Sequence, residues 1–532
     1  MSGCSKLDYD ENDFYTKEDI FGEFDRTEGF LNNIYNRLPA GFNSVDGAMR
    51  SSASDDAEEI FNGSRVQQFN DGSWSPMNLL DSRWDDSYEA IRAANIFIEE
   101  FDIDNFQELE FNNNYENLMI QARLYPYQAR FLRAFFYFDL IKRYGGVPLI
   151  TKPLNLEESN SVEPTSFQGI VDFIVNECNE IIPELPVDYQ SIPRRETGRA
   201  TRGAAMALKS RVLLYAASPL HNPSGNEELW EGAAIAAKAI IDSGYYSLEN
   251  DYSDVVNNRN SDELIFERRN SNSNWFERSN FPIGYEGAQP GTAPTQNLVD
   301  AYDMQSTGLD IEDANSGYDH SKPYEGRDPR LYKTVIFNNS IWKERPVETW
   351  IGGVDGLPQE RATETGYYLK KQVIERVSLD PNNTTQAIHT WVHFRLGGIL
   401  LDYAEAMNEA YGPNDPAGMG LTALQAVNKI RSRADMPDFP VELTQEQFRQ
   451  QLRDERRVEL AFEDHRFWDI RRWKIGPSTT EIYGMEIINN NETFDYQRKL
   501  VEIRVWDDRM YFYPIPQNEV YLNENLQQNP GW

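Results

Sequence analysis

A stretch near the carboxyl-terminal end of the chain, from Arg456 to Trp473, contains the residue types from which acid–base sites are built. It reads RRVELAFEDHRFWDIRRW and places His465 among four carboxylates, several arginines and several aromatic side chains. A histidine acts as a general base only with a positioned partner and a bound substrate, and the sequence shows neither. We therefore interpret the stretch as scaffold and His465 as a hydrogen-bonding residue within it.

The charges of this region support the structural interpretation. Val458, Ala461 and Phe462 follow helical spacing and give the segment one apolar face. Acidic residues precede arginines by three positions at Asp454–Arg457, Glu463–Arg466 and Asp469–Arg472. Side chains at this spacing are neighbours on a helix and stabilise it by about 0.2–0.5 kcal/mol per pair. The sequence predicts an internally cross-linked helix and corner, and not a basic binding patch.

Two other patterns resemble metal or enzyme sites. HTWVH spaces His389 and His393 four residues apart, but the chain has only five histidines and none of the others is nearby. A calcium ion on loop oxygens is conceivable, although no EF-hand-like loop is present. A glycoside hydrolase needs two carboxylates at a set separation, and 86 acidic residues make chance pairs uninformative. We expect no catalytic residue, no metal and no cofactor, and keep the hydrolase as the weaker alternative.

The elements that must position any site are mostly helical. Phe131, Phe135, Phe138 and Ile141 form an apolar stripe, and Gly145 ends that helix. Helices are predicted over 21–38, 83–101, 117–146, 166–185, 199–219, 229–244, 397–412, 421–436 and 443–463. The block from about 245 to 390 mixes Asn, Ser, Gly, Pro and aromatic residues, so we predict loops there, with a strand over 387–396.

Helix pairs on both sides of an irregular block indicate a solenoid resembling tetratricopeptide repeats, although the usual Trp/Gly/Tyr repeat signature is absent. We predict a mostly α-helical single unit over residues 1–532, with stacked helix pairs and a loop-rich half containing short β elements. Its predicted parts are 1–20 as a flexible linker, 21–244 and 397–475 as the helical scaffold, 245–396 as the loop-rich ligand-side region, and 476–532 as an extended carboxyl-terminal segment.

Composition excludes several classes of partner. The formal net charge is −35, which repels nucleic-acid phosphates and anionic lipid head groups, so no nucleic-acid partner is expected. The sequence contains no apolar run approaching the ~18 residues that a membrane-spanning helix needs. Of the two cysteines, Cys178 lies in an apolar-periodic segment and is predicted to be a buried thiol. Cys4 follows Met-Ser-Gly and precedes a polar stretch, as at a lipoprotein cleavage site; a chance cysteine explains it equally well.

The arginine-rich stretch, extended to RRVELAFEDHRFWDIRRWKIG, resembles the signature of the RagB/SusD family, outer-membrane nutrient-binding lipoproteins of Bacteroidetes. Further segments resemble that family in order along nearly the whole chain: RAFFYFDLIKRYGGVPLI (133–150), RGAAMALKSRVLLYAASP, AAKAIIDSGYY, PTQNLVDAYDM (294–304), LDYAEAMNEA, VNKIRSRADMP and YFYPIPQNEV…NENLQQNPGW. Each motif alone is moderately specific, and together they are highly specific. The chain departs from the family pattern at its start, where no export signal precedes Cys4.

The resemblance implies a SusD-like fold, a lipid anchor on Cys4, and a place at the outer membrane on the cell surface. It also implies a SusC-like TonB-dependent transporter as partner, for which the protein would be a lid. An oligosaccharide, or in some members a peptide, would be captured and delivered to it without catalysis. We expect the complete gene product to carry an apolar leader before Cys4. A helical-repeat protein that binds peptides in its groove is a third possibility.

Glycans bind through aromatic faces and through Asp, Asn and Arg side chains that bond the hydroxyl groups. The loop before the second predicted helix occupies the position that helps to form the ligand site in SusD-like proteins. From that loop and from the irregular half, the predicted ligand-binding residues are Asp55, Asp56, Arg65, Trp74, Trp275, Tyr285, Trp342 and Trp350. Each of these residues has a structural role as its alternative.

Overall fold

The amphipathic segments of the sequence form helices, and glycines end several of them. The computed structural model describes residues 15–491 and 493–532. α-Helices in the first part of this range are α1 (Lys17–Phe21), α2 (Phe24–Tyr35), α3 (Gln67–Asp71), α4 (Trp84–Glu100), α5 (Tyr115–Ala122), α6 (Tyr125–Tyr144), α7 (Leu156–Ser159), α8 (Phe167–Ile181), α9 (Arg202–Ala217) and α10 (Glu227–Ser243). Gly145, with φ 74°, ends α6, and Gly244, with φ 64°, ends α10.

The remaining helices lie within and after the loop-rich block. They are α11 (Asp254–Asn257), α12 (Trp275–Arg278), α13 (Gln296–Asp300), α14 (Leu331–Thr334), α15 (Leu396–Tyr411), α16 (Ala423–Arg433), α17 (Gln445–Glu459), α18 (Arg466–Arg472) and α19 (Gln517–Leu522). The helices of that block have four or five residues each, as expected where helical periodicity is missing from the sequence.

The strands pair only in twos within the described residues, and eight of the twelve have two or three residues. They are β1 (Ala57–Glu59), β2 (Val147–Pro148), β3 (Pro164–Thr165), β4 (Leu264–Ser273), β5 (Thr292–Pro294), β6 (Val335–Ile336), β7 (Ile341–Trp342), β8 (Arg345–Pro346), β9 (Tyr368–Leu369), β10 (Ala387–Arg395), β11 (Glu481–Asn489) and β12 (Phe494–Ile503). The antiparallel pairs are β1–β5, β2–β3, β4–β10, β6–β9, β7–β8 and β11–β12.

The longer helices stack in series, and the series continues across the loop-rich block. α2 packs on α4 and α6, α6 on α8, α8 on α9, and α9 on α10. α15 follows the loop-rich block but packs directly on α10, and then on α16 and α17. The predicted stack of helix pairs with a loop-rich half and short β elements is confirmed.

Each half has its own hydrophobic core. The larger core fills the helical half, with fully buried residues such as Phe136 and Leu401, and the buried thiol of Cys178 belongs to it. The second core lies in the loop-rich half around Trp342 and Tyr368. β10 leads directly into α15 at Arg395, so this residue stands at the junction between the halves.

The carboxyl-terminal segment differs from the prediction. Residues 476–532 were expected to be extended, but they contain the β11–β12 hairpin and the helix α19. Most side chains of β12 are at least partly exposed, so the strand lacks the apolar alternation by which hairpins are recognised in a sequence.

Candidate ligand-binding site

The arginine-rich stretch comprises the end of α17, the turn that follows it and α18, at the interface of the two halves. Arg395, only 2% exposed, donates from Nη1 to Glu263 Oε1 at 2.6 Å and to Glu459 Oε1 at 2.7 Å. Its Nε donates to Glu463 Oε2 at 2.7 Å, and Lys371 Nζ reaches the same carboxylate at 2.6 Å. This buried charge cluster joins α17 to the loop-rich half, which supports the scaffold interpretation.

The pairs inside the stretch are mostly not those expected from spacing. Asp469 and Arg472 do pair, at 2.7 Å. Arg466 instead binds a distant residue, Asp55, and Glu463 binds Arg395. Arg457 likewise binds residues of the amino-terminal loop and not Asp454. The prediction of i, i+3 pairing was wrong for two of the three pairs, because tertiary partners offer buried and bidentate geometry that a helix surface does not.

His465 has no acid–base geometry. It is buried, and its Nδ1 lies 3.2 Å from Nη2 of Arg456 and 3.5 Å from Nη1 of Arg211. Burial together with these guanidinium groups holds the pKa of His465 well below its usual value. A neutral imidazole that accepts from arginines is a structural hydrogen-bond acceptor.

The two histidines of HTWVH have separate partners. His389 Nε2 lies 2.7 Å from Glu277 Oε1, whereas His393 packs between Phe135 and Phe266. Burial lowers the pKa of His393 to about 3. Across residues 15–491 and 493–532, no group of three or more His, Cys, Asp or Glu side chains is arranged to hold a metal ion.

Asp55 and Asp56 are buried inside the structure, which contradicts their expected place on a ligand-facing loop. Arg466 makes a bidentate pair with Asp55 at 2.8 Å, and Arg457 donates to Asp56 at 2.6 Å. Burial alone would raise the pKa of Asp55, but the two arginines outweigh it and hold the pKa well below the usual value. Both carboxylates therefore serve to fasten the amino-terminal loop to α17 and α18.

Trp74 and Trp342 are core residues, each 1% exposed. The indole of Trp74 lies in an aromatic cluster, with ring centroids 4.5 Å from Trp532, 4.8 Å from Phe69 and 5.1 Å from Tyr513. The expectation that Trp74 is an exposed loop aromatic was wrong, because residues far along the chain cover its faces. Trp342 packs edge-on to Phe281 in the second core. Neither ring presents a face to a ligand in this conformation.

Three further predicted residues lie at or near the surface: Tyr285 and Trp350 in the loop-rich half, and Arg65 just before α3. Arg65 is exposed but pairs with Asp46 at 2.9 Å and donates to the carbonyl of Leu79 at 2.8 Å. The Tyr285 hydroxyl donates to the Trp342 carbonyl at 2.6 Å, and its ring is covered by Arg345 at 3.9 Å. Trp350 is half-buried against the second core.

Trp275 is the predicted tryptophan that presents a ring to solvent; its exposed fraction is 47%. It begins α12, directly after β4. The segment that follows α12 returns to the carboxyl-terminal end of this helix, since Gln289 N donates to Arg278 O at 2.7 Å and Gly291 N donates to Ser279 O at 2.9 Å. Trp275 is thus held on a short, doubly tied loop rather than on a free one.

A second exposed ring, Phe61, stands close to this loop. Ile60 N donates to Gly291 O at 2.7 Å, which continues the β1–β5 pairing, and Phe61 then emerges 48% exposed. The guanidinium of Arg361 lies 5.1 Å from the centre of its ring. Asp355, from the same loop as Arg361, accepts from Gly284 N at 3.1 Å.

Segments 59–65, 275–291 and 345–361 are therefore connected to one another, and we call them together the loop cluster. It offers two exposed aromatic rings, Trp275 and Phe61, and the exposed side chains of Arg278, Gln289 and Arg361. Neither arginine forms an ion pair with a carboxylate of the described residues. Aromatic faces with polar donors beside them fit the apolar faces and the hydroxyl groups of a sugar.

Phe61, Arg278, Gln289 and Arg361 were not recognised in the sequence. The Phe-Asn-Gly-Ser run at 61–64 could have indicated Phe61. An aromatic residue beside the turn dipeptide Asn-Gly is not part of an apolar helix face, so it needs another explanation. No pattern in the sequence around Arg361 indicates a site, because its contact with Phe61 depends on the tertiary fold.

Membrane attachment was predicted through a lipid on one residue. Cys4, the predicted lipid anchor, lies outside the described residues. Among the residues that the structure describes, no helix is both long enough and apolar enough to cross a membrane.

Comparisons with known proteins cover almost the whole chain. A protein-family model described as "SusD family" matches residues 257–532. A second family model, described as "Starch-binding associating with outer membrane", matches residues 17–214. SusD-like protein P25 of Formosa agariphila is 25% identical over 514 residues, covering 94% of this chain and 88% of the relative.

Solved structures agree with these matches. The crystal structure of a SusD-like protein from Bacteroides fragilis has a TM-score of 0.79 at 28% identity and covers 96% of this chain and 98% of that chain. A protein described as a laminarin-binding SusD-like protein has a TM-score of 0.62 at 21% identity, with coverage of 96% and 99%. At that level of identity, the second likeness concerns the fold.

Proposed function

The chain belongs to the SusD family, and from this premise we propose that it is a cell-surface glycan-binding lipoprotein. It would capture oligosaccharides and deliver them to a SusC-like TonB-dependent transporter, held at the outer membrane by a lipid on Cys4. The matched models support a carbohydrate ligand and association with the outer membrane, and a protein of the same fold is described as binding laminarin. The proposal includes no catalytic step.

The observation that carries the proposal is the pair of exposed rings, Trp275 and Phe61, on the tied loops of the loop cluster. Covering an exposed aromatic ring with a ligand is favourable, so two such rings on neighbouring loops, with arginines beside them that pair with no described carboxylate, support a binding role. Sugar rings would stack on the two aromatic faces, while Arg278, Gln289 and Arg361 would bond the hydroxyl groups.

Preorganisation favours this surface over the buried positions. Backbone hydrogen bonds to Ser279 and Gly291 fix the path of the chain around Trp275, and Arg361 covers one face of Phe61. A ligand would therefore bind without much loss of conformational freedom in the loops.

The experiment compares wild type with Trp275→Ala and Phe61→Ala, each titrated calorimetrically with the glycan that wild type binds. We expect each variant to bind about tenfold or more weakly, since a lost aromatic stacking contact is worth about 0.5–1.5 kcal/mol beyond the lost buried area. Tyr521→Ala is the matched control, because Tyr521 is 74% exposed and lies on α19, outside the loop cluster. Unchanged affinity in both loop variants, with unchanged circular dichroism, would remove the loop cluster from the site.

A further inference from the structure

A polar groove lies on the helical side of β4, apart from the loop cluster. It consists of two adjoining cavities of ≈ 380 Å³ and ≈ 240 Å³, which share Thr197, Gly198, Arg199, Glu267 and Arg269 among their lining residues. Both are formed in part by the edge of β4 that pairs with no strand of the described chain. The larger volume falls within the range of about 300–1,000 Å³ that small-molecule sites occupy. We call this feature the Arg268 groove.

The walls of the Arg268 groove are held in place by hydrogen bonds. Arg269 donates from Nε to Glu267 Oε1 at 2.6 Å and from Nη1 to Thr197 Oγ1 at 2.7 Å. Gly198 lies beside the Arg269 guanidinium, and its φ of 91° is a backbone conformation that favours glycine. Arg199 is fixed by Glu196, at 2.6 Å. The groove is therefore preformed on this side.

Several polar groups that line the groove lack partners. Arg268 is half-buried and donates to the carbonyl of Leu38, but no carboxylate of the described residues lies within ion-pair distance of it. Burial, with Arg83 nearby, lowers the pKa of Arg268. Glu267 is only 6% exposed, yet its Oε2 accepts no hydrogen bond from the described residues. Asn270 Nδ2 likewise donates no hydrogen bond to them. Buried groups left in this state are costly unless a ligand completes them.

The arrangement of these groups defines a chemistry. Side chains alternate along a strand, so Arg268 and Asn270 leave β4 on one side and Glu267 on the other. Along the unpaired edge of β4, one face of the strand thus offers a cation and an amide donor, and the other face offers an acceptor oxygen. Farther along, Tyr245 contributes an exposed ring to the smaller cavity. Such a set matches a molecule that carries a carboxylate, hydroxyl groups and an apolar ring face.

We propose that the Arg268 groove is a second carbohydrate site, which binds a uronate unit of an acidic glycan. The sugar carboxylate pairs with Arg268, one hydroxyl donates to Glu267 Oε2, and a neighbouring sugar stacks on Tyr245. The groove shares no residue with the loop cluster, so this site stands or fails independently of the function proposed there. In a chain with a net charge of −35, an arginine without a counter-ion selects for an anion locally although the overall field opposes it.

The test uses the full chain and three probes: a disaccharide ending in glucuronate, the same disaccharide ending in glucose, and acetate. We expect the glucuronate disaccharide to bind measurably more tightly than the glucose analogue, and acetate not to compete. Arg268→Gln should weaken glucuronate binding about 10-fold to 100-fold, the range for a lost hydrogen bond to a charged group. Arg376→Gln removes an exposed charge elsewhere and should leave binding unchanged.

Further readouts separate a binding role from a structural one. Arg268→Gln should unfold at the same denaturant concentration as wild type or a higher one, because it removes a half-buried cation without a carboxylate partner. If it fails to fold, Asn270→Ala replaces it, with a smaller loss expected. Trp275→Ala should not alter glucuronate binding. Equal binding of the glucuronate and glucose probes, full competition by acetate, or loss of binding in Trp275→Ala would each overturn the proposal.

Discussion

Replacement of Arg395 by methionine tests whether the charge cluster at the junction of the two halves holds them together. The guanidinium is 2% exposed and reaches three carboxylates, those of Glu263, Glu459 and Glu463, at 2.6–2.7 Å. Methionine fills similar space but leaves these carboxylates without their shared cation. Glu263 then retains Arg433 only at 3.5 Å.

The expected loss follows from the burial of the cluster. Breaking a buried ion pair by removing one partner destabilises a protein by about 3–5 kcal/mol, because the remaining charge is uncompensated. Total stabilities are about 5–15 kcal/mol, so a loss of this size moves the unfolding midpoint visibly. Adding Glu263→Gln to Arg395→Met should restore part of the loss, since it removes one of the carboxylates left without a close cation.

The assay is urea unfolding, followed in parallel by circular dichroism and tryptophan fluorescence, because a chain of this length need not unfold in one step. Lys322→Met is the matched control: its pair with Glu325, at 3.0 Å, joins two side chains that are more than half exposed. We expect a far smaller effect there, as for surface pairs generally. Equal midpoints for Arg395→Met and Lys322→Met would refute the view that the buried cluster carries the junction.

Two further predictions concern Trp74, in the helical core, and Glu59, in the loop cluster. Trp74→Ala should destabilise the protein by about 3–5 kcal/mol through loss of a buried ring, with glycan affinity of the folded protein unchanged in calorimetry; a large drop in affinity at unchanged stability would restore Trp74 to the site. Burial raises the pKa of Glu59 to about 7, so the folded state binds more protons than the unfolded state between the ordinary value of 4.5 and that value. Stability should therefore fall as pH rises through this window, and Glu59→Gln should reduce the fall by about 2–3 kcal/mol in denaturant titrations at pH 5 and pH 8. Identical pH dependence in wild type and Glu59→Gln would contradict the raised pKa.

The fold was largely predictable because its signals are local. The apolar stripe around Phe131 predicted α6, and Gly145 marked a helix end that the structure places at the same residue. The predicted helix over 229–244 likewise ends where α10 meets Gly244. Alternation in 387–396 predicted β10 for the same reason. Periodicity and capping depend on residues within one or two turns of each other, which a sequence displays directly.

The candidate site was less predictable because exposure depends on distant residues. The residues around Trp74 in the sequence are typical of an exposed loop. In the structure, Tyr513 and Trp532, from the other end of the chain, pack against its ring. The burial of Asp55 was unpredictable for the same reason, because its partner Arg466 lies far along the chain, in α18. Only the fold decides which loop aromatic is covered, and it leaves Trp275 47% exposed and Phe61 48% exposed.

The most direct test of the central proposal is isothermal titration of the full chain against a panel of glycans, with hydrolysis products monitored. The panel contains starch, fructan, mannan, xylan, pectin and host glycans. A capture protein should bind one class without releasing shorter sugars, and the affinity should fall in Trp275→Ala. If no glycan of the panel binds, the result would contradict glycan capture and favour a peptide ligand. If shorter sugars are released, the result would contradict the absence of catalysis and favour a glycoside hydrolase.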